Sequence, residues 1–249
     1  MIKNLFLKIM PSKKYFLFLL FSIGFLSADI PAYTAKYNFD SEEISITGTR
    51  TFKKYNNGYE ISFEASNLIA SMYFSSIFTI TNKQVIADSY DIKIKPKFLN
   101  RNQSVKFNYD ANIIKSSGVN VWQSNIDKEK GIFDPLNVQI MIRTFVKDGI
   151  KDFDLNIIDM EAGGSKNYRF IVKGEEECLF ENKKLNCIIV ERSRIGSERT
   201  VKYYLAKELE YMFTKIIDTS PERTNKLELQ FISSFRTVSY THLTLPTIA

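Results

Sequence analysis

Long stretches of the chain alternate between apolar and polar residues with a period of two. Tyr59, Ile61, Phe63 and Ala65 are interleaved with Glu60, Ser62, Glu64 and Ser66. The same alternation runs through Val105, Phe107 and Tyr109, through Phe153, Leu155 and Ile157, through Tyr168, Phe170 and Val172, and through Leu227, Leu229 and Phe231. Successive side chains of a strand point to opposite faces, so each run predicts a strand with one face on a core and the other in water. Turn formers separate the runs. Asn57-Gly58 predicts a tight hairpin, and Ser117-Gly118 and Gly163-Gly164 mark further turns. Roughly a dozen strands, mostly antiparallel, follow from this pattern.

One segment changes period. Val138, Met141, Ile142 and Phe145 recur at helical spacing. Asp134 is placed to cap a helix, with Pro135 at its first position and Gly149 to stop it. The pattern predicts one helix over 135–148, packed by that stripe on the concave side of a sheet. Leu136 and Ile140 project from the opposite side of this helix. There they contact a ligand or partner, or a loop covers them. The fold class predicted is mainly β: a single domain of 29–237, built as a large curved antiparallel sheet or half-barrel with one helix packed on it.

Both ends of the chain depart from this pattern. Lys3, Lys8, Lys13 and Lys14 precede an apolar run from Tyr15 to Leu26, and Leu26-Ser27-Ala28 offers a cleavage point. Residues 1–28 therefore read as a secretory signal peptide. The apolar run is about 12 residues long, against the roughly 20 a membrane span needs. The expectation is export to the periplasm, with no stable membrane span after cleavage. At the other end, residues 238–249 begin Val-Ser-Tyr-Thr-His-Leu-Thr-Leu-Pro-Thr. That string reads as a translated sequencing adapter, so the native C-terminus is expected to differ.

These assignments change the meaning of the charge. The 249 residues carry 34 Lys+Arg and 28 Asp+Glu, a net charge of +6. Without the four leader lysines, 30 Lys+Arg face the same 28 acids, a net charge of +2. The basic balance is a targeting feature, and no nucleic-acid partner is expected from it. The one histidine, His242, lies in the adapter-like tail. Without it, Ser-His-Asp and Cys-His catalysis are excluded, as are zinc sites built on histidine. No spacing singles out a carboxylate pair, and Gly163-Gly164-Ser165 reads as a turn rather than a phosphate cradle. No enzyme activity, metal or cofactor is expected.

Cys178 and Cys187 flank Asn182-Lys183. If those two residues form the loop of a hairpin, the cysteines lie directly opposite each other, at a spacing that suits a disulfide. The alternative is two reduced, partly buried thiols. Lys93, Lys95, Lys97 and Arg101 cluster around Pro96. They either meet anionic headgroups or an envelope polyanion, or form the solvated face of a strand whose edge they protect.

Three stretches resemble a bacterial exported family known as domain of unknown function 3108. They are Phe133-Asp134-Pro135-Leu136-Asn137-Val138 through Gly149, the pair Arg199-Thr200-Val201-Lys202-Tyr203-Tyr204-Leu205 and Leu209 to Ile216, and the opening Pro31-Ala32-Tyr33-Thr34-Ala35-Lys36-Tyr37. Met212-Phe213 stands where that family usually has Leu-Pro. The resemblance implies a periplasmic β-rich domain and no activity. Two functional expectations remain. In one the protein holds a lipid-like or other apolar ligand inside its curved sheet. In the other it binds an envelope protein partner and no small ligand. An outer-membrane barrel and a histidine-free enzyme are minor alternatives.

Overall fold

A computed structural model describes residues 30–42, 44–68, 70–96, 101–127 and 129–236. The expected leader (1–28), the adapter-like tail (238–249) and Lys97 lie outside the described residues.

The first half of the chain forms eight strands: β1 (Ala32–Asp40), β2 (Ser45–Tyr55), β3 (Gly58–Ser66), β4 (Ala70–Thr81), β5 (Gln84–Pro96), β6 (Arg101–Asn108), β7 (Ile113–Gly118) and β8 (Trp122–Asn125). The helix α1 (Val138–Lys147) follows. Six more strands follow among the described residues: β9 (Asp152–Ile158), β10 (Ser165–Phe180), β11 (Lys183–Ser193), β12 (Thr200–Ala206), β13 (Met212–Thr219) and β14 (Thr224–Arg236). Each strand pairs antiparallel with its chain neighbour in two meanders, and β1 pairs with β14 to join them. Among the described residues the result is one sheet of fourteen strands with β8 and β9 as its free edges.

Those edges meet through side chains rather than a ladder. From β6 and β8, Gln103 Nε2 and Trp122 Nε1 donate to the Met160 carbonyl just beyond β9, at 2.6 and 3.1 Å. Gly163 lies beneath the Trp122 ring, where a Cβ would come within 2.9 Å of it. The crossover into α1 covers the other edge: the Phe133 N–H donates to Asn156 O and its carbonyl accepts from Ile158 N–H, both at 2.9 Å. Covering an edge in this way removes a template for aggregation.

The sheet wraps α1. Val138, Gln139, Ile140, Met141, Ile142, Arg143 and Val146 are all buried. A helix buried on every side is a core helix, so the expected one-sided stripe is only part of the contact. The helix begins at Val138 rather than at 135, because residues 134–137 form a bonded turn. Asp134 Oδ1 accepts from the Leu136 and Asn137 N–H groups at 2.8 and 2.9 Å, and Asn137 Oδ1 accepts from the Asp134 N–H at 2.9 Å. At the other end Gly149 takes φ +78°. Its N–H donates to Val146 O, and the Ile150 N–H to Phe145 O. Carbonyls that the helix end would strand are thereby satisfied.

Four local expectations change. The β2–β3 turn is Asn56-Asn57, since Tyr55 pairs with Gly58. Gly58 belongs to the strand, where a Cβ would strike the Phe78 carbonyl at 2.4 Å. The β10–β11 turn is Glu181-Asn182, both with positive φ, so Cys178 faces Leu185 and Cys187 faces Glu176. The cysteines are diagonal neighbours rather than opposite ones. They still share a face, their Cα atoms are 5.9 Å apart, and they are joined by a disulfide. In β14 the bulge at Gln230 interrupts the alternation, so Phe231 turns outward and is 50% exposed. Finally, β5 lies between β4 and β6. Its lysines therefore protect no sheet edge.

Candidate functional site at the open end

Strand directions around the sheet place six connections at one end among the described residues: β1–β2, β3–β4, β7–β8, β9–β10, β11–β12 and β13–β14. This end opens into two adjoining clefts. The outer one, about 1020 Å³, is lined largely by polar and charged residues of the β1–β2, β11–β12 and β13–β14 connections. The inner one, about 440 Å³, descends to α1. They share Phe39, Met72, Arg199, Asp218 and Asn225.

The inner cleft is apolar along its walls. Phe63 and Phe74 stand on one side as a tilted pair, 6.4 Å between ring centres. Ile216 and Leu227, paired across β13 and β14, stand on another. Gly48 is glycine for a reason that bears on this wall: a Cβ there would come within 2.4 Å of the Phe63 ring. At the rim Arg199 Nε donates to Asp218 Oδ1 at 2.7 Å, and the same pair makes a second contact through Nη2. Asp218 holds the Arg199 guanidinium above its ordinary pKa.

The floor is charged. Arg50 lines the cleft yet is 2% exposed. Its Nη2 donates to Gln139 Oε1 of α1 at 2.7 Å, and its Nε has no hydrogen-bond partner among the described residues. Arg143, behind the floor and also 2% exposed, donates through Nη2 to Glu210 O at 3.0 Å, while its Nε and Nη1 are unpartnered among the described residues. The two guanidinium carbons lie 5.9 and 5.6 Å from the ring centres of Tyr37 and Tyr33. Among the described residues neither arginine takes part in a salt bridge. Burial pulls the Arg143 pKa below its ordinary value, and the positive charge of Arg50 adds to that. Tyr37, whose hydroxyl donates to Phe213 O at 2.7 Å, has its own pKa raised by the same burial.

A buried carboxylate lies above the helix start. Asp134 is fully buried and accepts from Ser76 Oγ at 2.6 Å. Burial raises its pKa to about 7, against the opposing pull of Ser76 and the two backbone N–H groups.

Of the residues singled out from sequence, Leu136 lines the inner cleft, beside Pro135 and Gln139. Ile140 is deep in the core at 1% exposure, away from solvent. The disulfide lies at the opposite end of the sheet from the clefts, beside Thr214, whose hydroxyl is 3.3 Å from Cys187 Sγ. Arg50 was not singled out, although a signal for it exists. Ile46, Gly48, Arg50 and Phe52 alternate with Thr47, Thr49 and Thr51, which puts an arginine in the inward series of β2.

Around the open end, connections carry exposed apolar side chains: Leu68 is 89% exposed, Val121 80% and Ile195 100%. Among the described residues no helix is long and apolar enough to cross a membrane.

Comparison with known proteins bears on the fold alone. No family model matches the chain, and no curated protein matches it. A crystal structure of a β-barrel-like protein of domain of unknown function 1849 from Brucella abortus superposes with a TM-score of 0.58. It is 10% identical, and the match covers 83% of this chain and 98% of that one.

Proposed function

We propose that this is an exported, non-enzymatic periplasmic protein that holds a lipid-like or other apolar ligand in the inner cleft. One observation carries the reading: an apolar cleft of about 440 Å³ at the open end of the sheet, reaching α1. Small-molecule sites are concave, mostly apolar and about 300–1,000 Å³, with a few polar groups to orient the ligand. The leader-like residues 1–28 and the disulfide support export, since disulfides persist in oxidising compartments. Kinship with the domain of unknown function 3108 family belongs to the same proposal and rests on the sequence stretches alone.

The exposed tips Leu68, Val121 and Ile195 favour a second reading, an envelope protein partner with no small ligand. One experiment separates the two. The protein is exported with its leader, purified from the periplasm, and examined by native mass spectrometry before and after organic extraction. A stoichiometric lipid-like adduct is expected, lost on extraction and regained on adding lipid. A clean apo mass with no lipid uptake overturns the carrier reading and leaves the partner reading.

A further inference from the structure

Two guanidinium groups are buried beneath an apolar cleft with no carboxylate paired to either among the described residues. Among the described residues Arg50 keeps one unpartnered buried nitrogen and Arg143 two. Burying a cation without a counter-charge is costly, and the costs are compensated here only in part, by the faces of Tyr33 and Tyr37, one glutamine oxygen and one main-chain carbonyl. A water-facing arginine would avoid that cost, and Thr49 and Thr51 on either side show that the chain had outward positions to offer. A guanidinium that lines an apolar cleft where the cleft meets α1 is suited to a planar or tetrahedral oxyanion, which it can bind through a fork of N–H donors.

We propose that the inner cleft takes a single-chain amphiphile head first, its carboxylate or phosphate group on Arg50 and its hydrocarbon chain running outward past Phe63, Phe74 and Leu227. The inference rests on the carrier reading and adds the ligand class and its orientation. Gln139 positions Arg50 through the 2.7 Å hydrogen bond. Arg143 lines neither cleft and lies over the Tyr33 ring, bonded to the Glu210 carbonyl. Lys226 and the Arg199–Asp218 pair stand at the rim, where they offer a rival seat for a head pointing outward.

The test is calorimetric titration of the delipidated protein with three probes of one chain length: dodecanoate, dodecyl phosphate and dodecanol. Inorganic phosphate serves as a head without a tail. At least one of the two anionic probes is expected to bind ten times more tightly than dodecanol or better, and whichever does names the head group. Arg50→Gln is expected to abolish that preference while leaving dodecanol binding within twofold, and Lys226→Gln to change it by less than threefold. Because Arg50→Gln removes a buried charge, its melting temperature is expected to equal or exceed the parent's. Equal affinity for all three twelve-carbon probes overturns the head-group inference and spares the carrier reading. Loss of anion preference in Lys226→Gln but not in Arg50→Gln overturns the orientation. Binding of none of the three overturns both readings, and binding of inorganic phosphate as tightly as dodecyl phosphate overturns the amphiphile. The probe comparison on the parent protein decides the head group even if the Arg50 variant fails to fold.

Discussion

Asp134 shows how a single side chain joins secondary structure to the core. Its Oδ1 closes the turn that starts α1, while its Oδ2 accepts from Ser76 of β4. It performs both tasks with no cation against it among the described residues, and burial raises its pKa to about 7. An unfolded aspartate titrates near 3.8. The folded state therefore binds the proton more tightly than the unfolded state does. The stabilisation from that proton is fully present below about pH 4 and is lost as pH rises through about 7. Asp134→Asn keeps an oxygen for the two backbone N–H groups and presents an amide to Ser76. Comparing the two proteins by urea unfolding at pH 5 and pH 8 isolates the group from all others. The expected result is that parent stability relative to the variant falls by about 1–4 kcal/mol between those pH values. A difference that does not change with pH refutes the account.

At the scale of elements, the β10–β11 hairpin shows why a spacing argument can miss a turn and still find a covalent bond. The turn lies one residue earlier than the Asn182-Lys183 loop that spacing suggested, which slides the partner of each residue from Gly174 to Phe180 by two. A slide of two preserves which face each side chain occupies. Cys178 and Cys187 thus remain on one face, within reach as diagonal neighbours. Changing both cysteines to serine is expected to cost roughly 2–3 kcal/mol by the chain-entropy estimate for a loop of about ten residues. Chemical denaturation measures that loss. The disulfide lies at the far end from the clefts, so dodecanoate affinity of the double variant at 10 °C is expected to stay within twofold of the parent's. The helix shows the complementary case. Its period and its stop at Gly149 were legible, because these signals act within a few residues of where they lie, whereas Asp134 and Pro135 belong to the bonded turn before the helix start at Val138. Its burial on all sides was not, because the fifteen-residue window around α1 says nothing of β2, β5 and the β12–β13 connection, which close over it.

For the whole molecule the seam between β8 and β9 is the distinctive feature. Two meanders meet through β1 and β14, leaving one gap that side chains bridge. Trp122, the one tryptophan of the chain, lies at this gap with its Nε1 on Met160 O and its ring over Gly163. Its fluorescence therefore reports the seam. Gly163 has φ +79°, so Gly163→Val adds backbone strain to the collision with the indole. The expected outcome is a red-shifted emission maximum and a melting temperature lower by several degrees, equivalent to about 1–3 kcal/mol. An unchanged spectrum would show that the seam does not depend on this contact.

What the sequence determined by itself was local in origin. Period-two alternation specified which side chains of β3, β6 and β9 face inward, because strand geometry alternates faces at every residue. The helix stop at Gly149, the Gly163-Gly164 turn and the shared face of the two cysteines follow from contacts a few residues apart. The same alternation in β2 held Arg50 in plain view as an inward cation among threonines, though nothing local says what an inward arginine meets. Tertiary structure alone decided that meeting, since Gln139, Tyr37 and the cleft walls come from segments up to about 175 residues distant. It likewise decided the order of strands, the place of the gap and which end stays open. Those features depend on how β1 finds β14 and on how much of the sheet's interior the helix fills. Long-range pairings and volumes of this kind are set by packing between distant segments, and no short window of sequence encodes them.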